Sequence, residues 1–230
     1  MNVVVERIES GQGRAEFAMY RSPGLSLWRS SALGSVCRGL LVDPTNDHLF
    51  AVQDGTIYDI LTDGSINRSY APISNDGLIV SMDESRNTLF VVSNSILYRV
   101  FGGALSTPTT PFTPAAVAVI SGRIVALEKD TNRFYWSDDD GATWNALDFQ
   151  TAETYPNTLL NIIVDHQELW LFGNRRTQVY VTGNDPDAPF DSVSAGIIEV
   201  GLAAKLAVGR LDNSIFWLGR NRDGDHIRVS

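Results

Sequence analysis

A unit of about 41 residues recurs five times along this chain, and a repeat of that length constrains the fold more than any single motif. The segment GLLVDPTNDHLFAVQDGTIYDI (residues 39–60) matches GLIVSMDESRNTLFVVSNSILYRV (residues 77–100). Each reads as an apolar strand, a polar turn, a second strand, a short turn and a third strand. Leu49-Phe50 and Leu89-Phe90 stand 40 residues apart, as do Tyr58 and Tyr98. The template continues through Ile124 and Tyr135, Leu169 and Tyr180, and Ile215 and Ile227. Second-strand anchors at 49, 89, 124, 169 and 215 are therefore spaced by 40, 35, 45 and 46 residues, which is propeller-blade spacing.

Local chemistry explains why such units form sheets. Val, Ile, Leu, Phe and Tyr alternate or cluster in short runs bounded by Asp, Asn, Gly and Ser, which favour turns. A 3.6-residue apolar period is nearly absent, so very little helix is expected. A four-stranded unit cannot bury both faces alone, whereas radial packing of neighbouring blades covers them. The expectation is an all-β, propeller-like array of about five antiparallel blades, the last incomplete. The predicted boundaries are an N-terminal arm at 1–34 and blades at 35–74, 75–112, 113–155, 156–195 and 196–230. The sequence ends HIRVS, in the third strand of the fifth unit. The remaining strand is expected from further chain, from a partner capping an open edge, or from residues 3–8.

Charge and cysteine usage narrow the function. Net charge is −9, and 16 of the 18 basic residues are Arg, without a Lys/Arg run. That argues against sequence-specific nucleic-acid binding, in which phosphate neutralisation supplies most of the affinity. Cys37 is alone and reads as a small apolar residue. The N-terminus meets Glu6 and Arg7 before a signal-peptide core can form, and apolar runs such as Ala115 to Ile120 are strand-sized. A soluble chain made in the cytoplasm, with no membrane partner, is expected.

The stretch SDDDGATW carries Ser137, Asp139, Gly141, Thr143 and Trp144 in the S-x-D-x-G-x-T-W pattern of the Asp-box, a hairpin signature of sialidases. It follows the third strand of unit three. There the Ser and Asp side chains accept turn N–H bonds, Gly141 supplies a positive φ and Trp144 tucks beneath the loop. Calcium at Asp138, Asp139 and Asp140 is disfavoured, because adjacent carboxylates diverge and EF-hand spacing is absent. The expected role is a structural turn, with no catalytic, cofactor or metal residue. The alternative is a sialidase-like or carbohydrate-binding propeller. That reading requires arginines from the set Arg175, Arg176, Arg210, Arg220 and Arg222 to converge, with a nucleophile and an acid/base carboxylate. His48, His166 and His226 fall in separate predicted turns without zinc-ligand spacing. Gly11-Gln12-Gly13 lacks a strand–helix context and reads as a hairpin, as does RNRDGD at 220–225.

Several ordered segments carry a family resemblance. They are AEFAMYRSPGL (15–25), with its [RT]-x-PGL opening, Arg38-Gly39, and NDGLIVSMDESRNTLFVV (75–92). FYWSDDDGATWNALDFQTAETYPNTLLNII (134–163), ELWLFGNRRTQVYVTGNDPDAPF (168–190) and IIEVGLAAKLAVGRLDNSIFWLGRNRDGDHIRV (197–229) complete the set. Over residues 15–230 the chain resembles the packaged-DNA stabilisation, tail-hub or head-completion proteins of short-tailed bacteriophages and prophages. The resemblance implies a non-enzymatic component of the virion tail, made in the host bacterial cytoplasm and working without cofactors. It also implies a homo-oligomeric ring, a hexamer, that closes the channel beneath the portal and adaptor and offers a platform for the tail needle. Family members extend well beyond this length, with further blades and a C-terminal β-domain.

Overall fold

Two-residue turns decide how these strands pair. Both central residues have positive φ at Arg86-Asn87 (46° and 67°), Asn94-Ser95 (48° and 60°) and Gly102-Gly103 (58° and 79°). Ser121-Gly122 (50° and 80°) and His166-Gln167 (46° and 66°) are alike. Such type I′ turns match the right-handed twist of antiparallel strands and fold each strand straight back on its predecessor. Non-glycine residues are strained there. Ser95→Gly is therefore expected to stabilise the protein by about 0.5–1 kcal/mol, the relief of left-handed strain less glycine's entropy cost. Urea denaturation measures this, and an unchanged or lowered midpoint would refute it.

The structure is a computed structural model. It describes residues 3–7, 17–21, 28, 33, 36–43, 45–138, 140–152, 157–212, 214–221 and 224–229. Residues 1–32 and 33–230 form two compact units. In the first, β1 (Val3–Arg7) pairs antiparallel with β2 (Phe17–Arg21), Val3 opposite Arg21. That pairing occupies one edge of β1, and Ile8 lies outside the described residues.

Among its described residues, the second unit contains five sheets. Blade one runs β3 (Cys37–Asp43), β4 (His48–Gln53), β5 (Thr56–Ile60), β6 (Ile66–Tyr70). Blade two runs β7 (Ser81–Ser85), β8 (Thr88–Ser93), β9 (Ile96–Phe101), β10 (Ala104–Ser106). Blade three runs β11 (Pro114–Ile120), β12 (Arg123–Glu128), β13 (Arg133–Ser137), β14 (Phe149–Thr151). Blade four runs β15 (Leu159–Asp165), β16 (Glu168–Gly173), β17 (Thr177–Thr182), β18 (Phe190–Ile198). Blade five contains β19 (Gly201–Leu202), β20 (Val208–Leu211), β21 (Ser214–Asn221) and β22 (Gly224–Val229).

In blade five, β19 and β20 lie in line along one edge of β21, and β22 pairs with the other edge. The blade is thus three strands wide, as the repeat predicts. Two local expectations change. β18 continues past residue 195 to Ile198, because Ile197 and Ile198 pair again with Gln178 and Thr177 beyond a register shift. His226 lies in β22 opposite Gly219, and His48 opens β4, so neither occupies a turn.

Each blade buries one face against the next. Val52, Ile57, Leu89, Val91 and Tyr98 form the core between blades one and two. Phe90, Leu97, Ile124, Tyr135 and Trp144 fill the space between blades two and three. Leu127, Phe134, Leu171, Tyr180 and Phe190 do the same between three and four, and Phe172, Ile215 and Trp217 between four and five. Opposite faces of β8 thus serve two cores: Leu89 and Val91 one, Phe90 and Val92 the other. The rows end on partly uncovered apolar faces, Leu40 and Val42 on blade one and Leu211, Phe216 and Leu218 on blade five. Among the described residues, no helix is long and apolar enough to cross a membrane.

Candidate functional site

The SDDDGATW loop leaves β13 at Ser137 and returns to the sheet at β14. Ser137 is buried opposite Ile124. Asp138 Oδ1 accepts from Arg123 Nε at 2.6 Å on an exposed edge. Asp139 lies outside the described residues. Asp140 and Gly141 have φ of 52° and 68°. The Asp140 carbonyl accepts a 2.8 Å bond from Arg99 Nε of blade two, and a Cβ placed on Gly141 would collide with the Phe90 ring of the same blade. Trp144 is buried, and its Nε1 donates to the Gly141 carbonyl at 3.3 Å. Its ring meets Phe112 edge-on at 5.3 Å, and Phe112 stacks on Tyr135 at 4.1 Å. The loop therefore closes on itself and presses against blade two. No group of three metal-ligating side chains occurs among the described residues.

The first strands β3, β7, β11 and β15 pack side by side around the axis. A cavity of about 400 Å³ there is lined by Ser81, Asp83, Val117, Val119, Asn161 and Arg210, among others. Its polar groups hold the protein's own backbone. Ser81 Oγ accepts from Val117 N at 3.0 Å and faces the Val117 carbonyl at 3.3 Å. Asp83 accepts from Glu84 N at 2.9 Å and Val119 N at 2.7 Å. Burial pushes the Asp83 carboxyl up, against these two bonds and the Arg210 charge, which pull it down. Lys205 donates to the Ala115 carbonyl at 2.8 Å, and burial lowers its ammonium pKa.

Two members of the arginine set, Arg176 and Arg210, stand apart. Arg176 pairs with Glu199 at 2.8 Å, near the Leu159 end of β15, where Gly173 pairs with Leu159. Arg210 donates to the Val164 carbonyl at 3.2 Å and stands 3.6 Å from Asp165, at the other end of that strand. Six residue steps of strand separate the two ends, about 20 Å. Arg175 adjoins Arg176, Arg220 is exposed on β21, and Arg222 lies outside the described residues. His166 Nδ1 faces Asp165 Oδ2 at 2.8 Å, and His48 Nδ1 stands 2.8 Å from Asp59 Oδ1 without hydrogen-bond alignment.

Two features escape the sequence reading. One is Arg38, 1% exposed on β3. Its Nε donates to the Leu78 carbonyl at 2.7 Å, and Nη1 donates to the carbonyls of Asp54 at 2.9 Å and Ser74 at 3.1 Å. Nη2 reaches Asp76 Oδ1 at 2.6 Å and Ser93 Oγ at 2.7 Å. The other is a polar cavity of about 280 Å³ between blades one and two, lined by Asp43, His48, Asp59, Arg68 and Glu84, among others. Carboxylates at the ends of first strands are its only sequence signal.

A family model described as Bacteriophage P22 Gp10, beta-propeller, matches residues 1–227. No curated protein sequence matches the chain. Among solved structures, the chain resembles PorZ, a surface component of the type-IX secretion system of Porphyromonas gingivalis. That likeness has a TM-score of 0.51 at 15% identity, covering 84% of this chain and 24% of that one. The extracellular domain of a hybrid two-component system from B. thetaiotaomicron gives 0.53 at 12%, covering 84% and 26%. The WD40 domain of SCAP from fission yeast gives 0.53 at 11%, covering 84% and 52%. The chain thus spans about a quarter of the first two and about half of the third. At such identities these likenesses establish the propeller fold alone.

Proposed function

The chain belongs to the phage-stabilisation family of bacteriophage P22 Gp10, and from that premise we propose that it is a non-enzymatic tail-hub component that docks beneath the portal–adaptor ring and helps retain packaged DNA. Members of this family are phage structural proteins, and a virion location follows from membership. The docking site, the needle platform and the homo-oligomeric ring are our reading. Family membership over residues 1–227 is the observation that carries it.

The physical chemistry agrees. At −9 the chain repels DNA, which suits a plug that blocks a channel without gripping phosphate. The polar groups at the axis are engaged with neighbouring blades, and Arg176 and Arg210 stand at opposite ends of β15, so a sialidase-like pocket draws no support from them. The test is electron microscopy and co-sedimentation of the natural protein with purified portal–adaptor rings of its own phage. A ring-shaped density seated on the adaptor is the expected result. Monomers that leave the rings bare would overturn the proposal.

A further inference from the structure

The cavity between blades one and two places carboxyl groups of two blades against each other. Asp43, 3% exposed at the end of β3, faces it from blade one, and Glu84 of β7 faces it from blade two. Both line this one cavity, which brings the two carboxyl groups within hydrogen-bonding reach of one another. Asn46 Nδ2 also crosses this seam to Asn87 Oδ1 at 2.9 Å, joining the turns beside the two acids.

Two carboxyl groups in hydrogen-bond contact need one proton between them. The surroundings decide which oxygen carries it. Asp43 Oδ1 accepts from Thr45 N at 2.8 Å and Asn46 N at 3.2 Å, and Oδ2 accepts from Asn46 Nδ2 at 2.8 Å. Those donors favour its ionised form, and its pKa is lowered despite burial. Among the described residues, no such donor reaches the Glu84 carboxyl. Burial, followed by the charges of Asp43 and Asp83, raises its carboxyl to about 7.

We propose that the seam between blades one and two is a proton-operated joint, held closed by the proton that Glu84 shares with Asp43 and loosened when that proton leaves. The other charged and titratable groups facing it are His48 and Asp59, Arg68 and Tyr70 of blade one, and Asp83 of blade two. Arg86 does not neutralise the pair, since its guanidinium lies toward Gly122 of blade three. Glu84 ionises less readily in the folded chain than in the unfolded one. Between the ordinary carboxylate range and about pH 7 the folded chain keeps a proton that the unfolded chain has lost. Stability contributed by the joint is therefore full at low pH and falls as pH rises through about 7.

The test compares the wild-type chain, Glu84→Gln and His48→Gln by urea unfolding across this pH range, with hydrogen exchange at amides 45–47 and 86–87. The wild-type unfolding constant is expected to rise roughly five- to tenfold between pH 6 and 8, with faster exchange at those turns. Glu84→Gln, whose amide donates to Asp43 at every pH, should lose both changes, and His48→Gln should keep them. Should Glu84→Gln fail to fold, Asp43→Asn is the equivalent variant, since its amide donates to the Glu84 carboxylate. A flat wild-type profile overturns the proposal. So does a profile that survives the carboxyl variants but vanishes in His48→Gln, which would assign the effect to the His48–Asp59 pair.

Discussion

Replacing Arg38 with methionine is expected to destabilise the protein by about 3–5 kcal/mol, the range for removing one partner of a buried ion pair. The guanidinium is 1% exposed and makes five hydrogen bonds. Their acceptors span the turn after β4, the segment 74–78 that carries the chain into blade two, and β8. Methionine fills much of the volume but satisfies none of them, and each buried acceptor left bare costs about 1–3 kcal/mol. Asp76 is 25% exposed and regains water, which keeps the total below a simple sum. Lysine should recover less than half, because one ammonium cannot reach acceptors arranged around a planar fork. Equilibrium urea denaturation at constant pH measures the loss. A loss under 1 kcal/mol for Arg38→Met would show that the seam does not depend on this side chain.

Arg38 also shows where sequence reading stops. Strand order, the third-strand tyrosines and the five-blade count were legible because each is a periodic local property. Ala51–Tyr58, Val91–Tyr98 and Ala126–Tyr135 are cross-strand pairs in successive blades, as the repeat requires. Blade four departs by two residues, with Tyr180 opposite Leu169, yet its ring still faces blade three. Arginine carries no such periodic signal. The acceptors that bury Arg38 lie 16, 36, 38, 40 and 55 residues away, and only packing brings them together. The same limit hid the Asp43–Glu84 contact, which two different blades create. His226 was misread for the opposite reason: RNRDGD has turn composition, but β22 begins inside it, at Gly224, and pairs as far as Val229.

Trp144→Ala is expected to cost about 3–5 kcal/mol, the usual loss for emptying an aromatic site in a core. Sequence alone suggested a loop residue tucked under its own turn. In the structure Trp144 is 8% exposed in the core shared by blades two and three, against Phe112, and its indole N–H closes the turn on Gly141. The indole therefore stabilises both the turn and the interblade contact, and alanine removes both. Trp144→Phe should recover most of the packing but lose the N–H bond, a residual deficit of about 1 kcal/mol. Adding Phe112→Ala should give a coupling of about 0.5–1.5 kcal/mol, as for an edge-on aromatic pair. A sugar-binding role for the loop predicts the reverse pattern. Trp144 would then be dispensable for stability, and its loss would appear in binding of sialosides or related glycans measured by calorimetry. Unchanged denaturation together with lost glycan binding would transfer SDDDGATW from the fold to a ligand. The collision that any Cβ on Gly141 would have with Phe90 argues against that outcome, since it ties the loop to blade two at the point where a binding loop would need freedom to adjust.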